Sequence, residues 1–210
     1  MTANTAAKHC LFTIGHSDHE MQELMPLLSR HRIDTIADVR SQPYSRFSPQ
    51  FNREVLKDCL KIAGIDYVFL GRELGARRAE RESYRGRQAR YDLISHLPAF
   101  QEGLDWIRRE IPSRRISLLC AEKDPLECHR TILVCRHLRS DPLEINHILE
   151  DGSIENTDQA ESRLLELVGL PPANLFQNRL DLIEEAYDRQ ANRIAYTESE
   201  EKRVISGGIA

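Results

Sequence analysis

Five short apolar runs, each followed by polar or glycine residues and then by helical periodicity, constrain this chain most. They are residues 10–14 (CLFTI), 35–37 (TIA), 65–70 (IDYVFL), 115–119 (RISLL) and 144–148 (EINHI). Strands that alternate with helices make βαβ units, and such units build a mainly parallel sheet covered on both faces. The expected fold is α/β, three layers with a mainly parallel sheet. Residues just after each strand then share the carboxyl edge, where ligands bind in open α/β sheets.

Helix signals punctuate the intervals. Ser17, with Glu20 three residues on, is a capping box. A helix over 51–63 is closed by Gly64 as a left-handed cap, and another spans about 99–110. Asp124, Pro125 and Glu127 stand as N-cap acceptor, first helical residue and third-position acid, which predicts a helix starting at Pro125.

That last helix follows the most chemically loaded run of the chain, residues 120–130 (CAEKDPLECHR). A helix N-terminus favours anions and lowers a thiol pKa, so Cys128 is the candidate nucleophile. Arg130 offers a fixed charge for a phosphate or carboxylate, while Glu122 and His129 are candidate proton carriers. Cys128, Ile132, Cys135 and Leu138 also fall at the spacing of a buried helical stripe, and Cys120 ends an apolar strand as a wall residue would. An oxyanion loop with arginine six positions after its cysteine is excluded, since those positions hold Leu126 and Val134. A zinc site from Cys120, Cys128 and His129 is not expected, because neighbours on a helix diverge by about a hundred degrees and no paired C-x-x-C is present. A reversible Cys120–Cys128 disulfide stays open, and no cofactor is identified.

Other strand ends converge on the same edge. His16, Ser17, Arg40, Ser45, Arg72 and Arg130 are the candidate substrate-binding residues, and Asp38 joins Glu122, His129 and Cys128 as a catalytic candidate. Local alternatives exist: Ser17 as a cap, Asp38 and Arg40 as a mutual pair. Residues 72–90 hold seven arginines against three glutamates, seven minus three or plus four, with Tyr84 and Tyr91 interleaved. Such a loop can close over a phosphate-bearing ligand or a nucleic acid, and is equally the composition of a solvated surface segment.

With 210 residues, 40% hydrophobic and 30% charged, the chain can bury one core and carry an appendage. A net charge of −4 gives no global basic field, so nucleic-acid binding would need a local patch. Residues 1–9 lack a signal core, no segment has the length of a membrane span, and five irregularly spaced cysteines fit a reducing compartment. A cytoplasmic location without membrane association is expected.

Thr13 to Ser17 (TIGHS), Asp38-Val39-Arg40 with Pro43 and Ser45, Phe51, Gly64-Ile65 with Tyr67, Leu74-Gly75, and Cys120-Ala-Glu122 through Cys128-His129-Arg130 followed by His147-Ile148 resemble the bacterial and archaeal "domain of unknown function 488" family. Glu161-Ser-Arg163, Leu175-Phe176, Ala186-Tyr187 and Tyr196 resemble the C-terminal extension of a longer branch. The family often has Leu-Gly-Gly where this chain has Leu74-Gly75-Ala76. The resemblance implies a compact α/β domain over 8–150 and a helical extension over 151–198, but no reaction; the terminal residues 199–210 are expected to form a flexible tail. Leu175, Leu182, Ile183, Ala186 and Tyr187 form an apolar stripe for the domain or for a second subunit in a homodimer. Chemistry leads to a hydrolase or group transferase acting on a phosphate-bearing nucleotide or nucleic acid. The other reading is a non-catalytic nucleic-acid- or protein-binding module with a redox- or metal-responsive cysteine pair.

Overall fold

Period-two alternation within the strands divides their apolar side chains between two faces of one sheet. The computed structural model describes residues 9–173 and 177–199. In chain order it contains β1 (His9–Gly15), α1 (Met21–Arg30), β2 (Thr35–Asp38), α2 (Arg53–Ile62), β3 (Asp66–Phe69), a small hairpin of β4 (Tyr84–Arg85) and β5 (Gln88–Ala89), and α3 (Tyr91–Ile94). There follow α4 (Pro98–Glu110), β6 (Ile116–Cys120), β7 (Leu143–Ile148), β8 (Ile154–Asn156), α5 (Thr157–Leu167) and α6 (Arg179–Ile194). The main sheet has the order β3-β2-β6-β1-β7-β8, parallel throughout except for β8.

Crossovers between parallel strands are right-handed, so a change of direction across the sheet moves the connecting helix to the other face. From β1 to β3 the chain moves one way, and Phe12, Ile14, Ile36 and Leu119 pack with Leu24, Leu28, Leu56 and Leu60 of α1 and α2. From β3 it returns to insert β6 between β2 and β1. Leu11, Ala37 and Leu118 accordingly face α4 and the C-terminal helices across the second, larger core. The carboxyl end of β6 thus lies at the point where strand order reverses, the place a crevice forms in such sheets.

The apolar face of α6 is used within the chain: Leu182, Ile183, Ala186 and Tyr187 are buried in the larger core. Leu175 and residues 200–210, where the tail was expected, lie outside the described residues. The predicted cap at Gly64 is present, with φ of +74° and its N–H bonded to the Lys61 carbonyl. Asn156 caps α5 in a box with Gln159. The box expected at Ser17 sits three residues later, on Glu20 and Glu23. Ser17 has φ of +50° and its N–H is bonded to the Ala121 carbonyl, so it belongs to the sheet edge. Among the described residues no helix is long and apolar enough to cross a membrane.

Gly15 fixes how the turn after β6 lies on the end of β1. A Cβ there would sit 1.8 Å from the Glu122 carbonyl oxygen. Gly15→Ala should therefore lower stability by about 2–3 kcal/mol through forced backbone displacement. Gly64→Ala, whose Cβ would meet nothing within 4 Å but must keep a positive φ, should cost about 1 kcal/mol. Urea unfolding of both variants checks the ranking, and equal midpoints would refute the account of Gly15.

Candidate functional site

The helix predicted from Pro125 lasts one turn, Pro125–Glu127, capped as expected by Asp124 accepting from the Leu126 N–H at 2.8 Å. Cys128 breaks it by turning extended, with φ of −132° and ψ of 139°. A second helical segment then starts, a π-turn over Arg130–Val134 followed by a 3-10 turn over Cys135–His137. Cys128 caps it: its carbonyl accepts from the Thr131 and Ile132 N–H groups at 3.1 Å, and its Sγ accepts from the Arg130 N–H at 3.4 Å.

Arg130 does not face a ligand. Its side chain is fully buried, with Nη1 donating to the Glu122 carbonyl at 2.6 Å, Nη2 to the Lys123 carbonyl at 3.1 Å and Nε to Thr13 Oγ1 at 3.3 Å. The anion-binding role expected for Arg130 is thereby corrected, since these donors hold the turn itself. Thr13, accepting from Arg130, donates its own hydroxyl hydrogen bond to His147 Nδ1 at 2.8 Å, and burial together with the Arg130 charge pushes that imidazole down to about 3.

Within this frame Cys120 Sγ and Cys128 Sγ each lie 2.9 Å from Glu122 Oε2. His129 donates from Nε2 to the Val39 carbonyl at 2.9 Å and turns Nδ1 to within 3.6 Å of Cys120 Sγ. The ligand atoms of these four residues lie within 4.8 Å of one another. The geometric objection to a metal site fails because Cys128 is extended, so its side chain and that of His129 are free to converge. Burial opposes ionisation of Cys128, but contact with Cys120 and the charges of Arg130 and His129 outweigh it and hold this thiol well below its ordinary range. Burial and the neighbouring Cys128 push Cys120 well above it and raise the Glu122 carboxyl too.

Asp38 and Arg40 form a second locked unit. The buried Asp38 carboxylate binds Arg40 through Nε at 2.9 Å and Nη2 at 2.7 Å, and accepts from Tyr67 Oη at 2.7 Å. Arg40 Nη1 donates to the Phe51 carbonyl at 2.9 Å and lies 3.2 Å from His16 Nε2. Asp38 therefore has no opening through which to exchange a substrate proton, and Arg40 reaches the pocket wall with its charge already paired. His16 stacks on Phe51 at 4.4 Å, and burial, reinforced by the Arg40 charge, pushes it down to about 4. Ser17 bonds its neighbour Asp18. Arg72 is exposed, and its carbonyl accepts from Arg78.

A cavity of about 560 Å³ opens over the cluster. Cys120, Glu122 and His129 line its floor, and Ser45 lines its side, where the Ser45 hydroxyl accepts from the Phe47 and Ser48 N–H groups and shapes the loop after β2. Cys128, 1% exposed, lies behind the floor, which argues against direct attack on a substrate. The rim holds residues that were not nominated from sequence: Tyr44, 59% exposed, and Phe47, 83% exposed, with Arg46 over the Phe47 ring at 4.9 Å. Opposite stands Arg77 over the Tyr196 ring at 4.7 Å. The only signals for these were the turn-rich composition of 41–49 and the arginine run.

The arginine-rich segment is partly inward. Arg78 is buried and binds Glu80 and the carbonyls of Arg72 and Glu73, and Tyr84 is buried with its hydroxyl on Arg78. Tyr91 is also buried, on the pocket wall. Tyr84 and Tyr91 are thus unavailable as exposed stacking platforms, because both rings complete the core.

The sequence profile described as "Domain of unknown function DUF488" matches residues 20–136, from the capping residue of α1 into the helical segment after Cys128. No curated protein and no solved structure matches the chain.

Two buried neutral histidines make stability depend on pH. The folded-state values, about 4 for His16 and about 3 for His147, lie below an unfolded value of about 6.5, so the unfolded chain binds more protons as pH falls. Their contribution is complete above pH ~6.5 and is lost on acidification, at up to ~1.4 kcal/mol per pH unit for each. Unfolding free energies measured from pH 7 to 5 should fall steeply for the native chain and less so for His147→Asn; identical slopes would contradict this.

Proposed function

The chain belongs to the DUF488 family, whose description assigns no reaction, and from the pocket we propose that it is a hydrolase or group transferase acting on a nucleotide or a single-stranded nucleic-acid segment. One observation carries the reading: a single cavity has aromatic rings and guanidinium groups at its rim and thiol, imidazole and carboxylate groups on its floor. Exposed rings offer sequence-tolerant stacking to a base, and arginine beside them adds cation–π attraction and phosphate contact. The net charge of −4 does not oppose this, since the recognition is local.

Roles follow from position. Tyr44 and Phe47 receive the planar part of the substrate, and Arg77 meets its anionic part. Glu122 is assigned the proton transfers by its position, since its carboxyl group lines the cavity floor within reach of a bound substrate. Arg40 and Arg130 hold the walls and bear no substrate charge, which departs from the expectation that they would grip the phosphate.

Titration calorimetry with a set of nucleoside monophosphates tests binding, and product analysis after incubation tests turnover. Phe47→Ala should weaken binding by roughly 5- to 100-fold, the range expected for loss of one base-stacking contact, and Arg77→Ala should weaken phosphorylated ligands more than nucleosides. Glu122→Gln should bind normally and lose turnover. Binding that is indifferent to both rim substitutions would overturn the reading.

A further inference from the structure

We propose that Cys120, Cys128 and His129 hold a zinc ion on the pocket floor, with Glu122 beside the coordination position that opens into the cavity. The hydrolytic consequence rests on the reading of the pocket as an enzyme site; the ion site itself stands on geometry alone. Two sulfurs, an imidazole nitrogen and a carboxylate oxygen approach within 4.8 Å from residues up to nine apart in sequence, brought together by the extended backbone of Cys128.

Their orientation is that of ligands. A metal-binding histidine donates its other ring N–H to a carbonyl or carboxylate, which fixes the tautomer and aims the free nitrogen. His129 does this with the Val39 carbonyl at 2.9 Å, leaving Nδ1 directed at the sulfurs. Cys128 Sγ receives the Arg130 backbone N–H at 3.4 Å, a contact that stabilises a sulfur anion without competing for its inner face. Arg130 in turn anchors the carbonyls of Glu122 and Lys123, so the residues bearing the ligands are held by one buried guanidinium.

The donor set selects the ion and its task. Two thiolates and one imidazole suit borderline-soft zinc, whereas calcium and magnesium require oxygen ligands. Structural zinc sites are closed by four protein ligands and set apart from substrate; catalytic ones leave a position for water. Here Cys120, Glu122 and His129 line a cavity, so the remaining position faces it. Water bound there gives a proton to the Glu122 carboxylate, and the hydroxide adds to the electrophilic carbon or phosphorus of the substrate. Glu122 returns the proton to the leaving group, which departs with the electron pair of the broken bond.

The full chain, stripped with chelator under reductant, is titrated with Co²⁺ and back-titrated with Zn²⁺. The expected result is one Co²⁺ per chain with intense thiolate-to-cobalt charge-transfer absorption and tetrahedral d–d bands, displaced by one equivalent of Zn²⁺. Cys120→Ser, Cys128→Ser and His129→Asn, each checked for folding by circular dichroism, should lower Zn²⁺ affinity by at least ~100-fold. Glu122→Gln should keep the charge-transfer band, and Cys135→Ser, a buried thiol outside the cluster, should bind as the native chain does. Absence of the band, or native affinity in both Cys120→Ser and Cys128→Ser, overturns the site. Nucleotide turnover that persists in chelator overturns the zinc role and leaves the pocket reading intact; tight Zn²⁺ binding without turnover supports the ion site and overturns the hydrolytic reading.

Discussion

A guanidinium buried without solvent is tolerated only when its N–H groups find acceptors, and Arg130 finds them in the backbone carbonyls of Glu122 and Lys123 and the hydroxyl of Thr13. This one charge ties the turn after β6 to the central strand β1. It joins the turn that lies over Gly15 to the start of the second helical segment, on either side of the extended Cys128. Burial keeps His147 neutral, and the Arg130 charge, which shares the Thr13 hydroxyl with it, adds to that. Removing Arg130 would leave two carbonyls and a hydroxyl without a donor, so its role is architectural even though it stands within the reactive run.

Asp38 and Arg40 repeat the device at the neighbouring strand. The ion pair, completed by Tyr67, His16 and the Phe51 carbonyl, fixes the start of the loop that carries Tyr44 and Phe47. The pocket is thus framed by two buried arginines and edged by exposed ones. The C-terminal helices take part as well: Gln190 donates to the Leu126 carbonyl at 2.7 Å, Arg193 pairs with Glu127, and Tyr196 supplies wall. What the resemblance implied as an extension packs against the reactive turn.

The parallel sheet was legible because each strand is a short apolar run ended by polar residues, and the caps at Gly64 and Asp124 because a left-handed backbone or a side chain acts locally. The convergence of strand ends was legible for the same reason. The Asp38–Arg40 pair was among the alternatives the sequence offers, but arginine looks identical in sequence whether it binds an anion or a carbonyl, so the carbonyl partners of Arg130 were not legible. Cys128 and His129 read as helical neighbours whose side chains diverge, whereas the extended backbone of Cys128, which no local pattern encodes, lets them converge. Ser17 satisfied a capping pattern that pairing with the β6 edge overrode. Arg77 was legible only as one member of the arginine run, and Phe47 left no periodic pattern, since an exposed side chain at a rim carries none.

The register of β1 has a further consequence. Phe12 stands beside Ser117, and Thr13 bonds His147 across 134 residues of chain. β1 is therefore flanked by two strands that come much later in the chain, and its edges stay unpaired until residues 116–148 have been made. Closing such long loops is entropically slow, so folding of the central sheet must await most of the chain. During that interval the unsatisfied edges of β1 are open to wrong partners, which makes nascent and refolding chains, and not the finished protein, the form most exposed to aggregation.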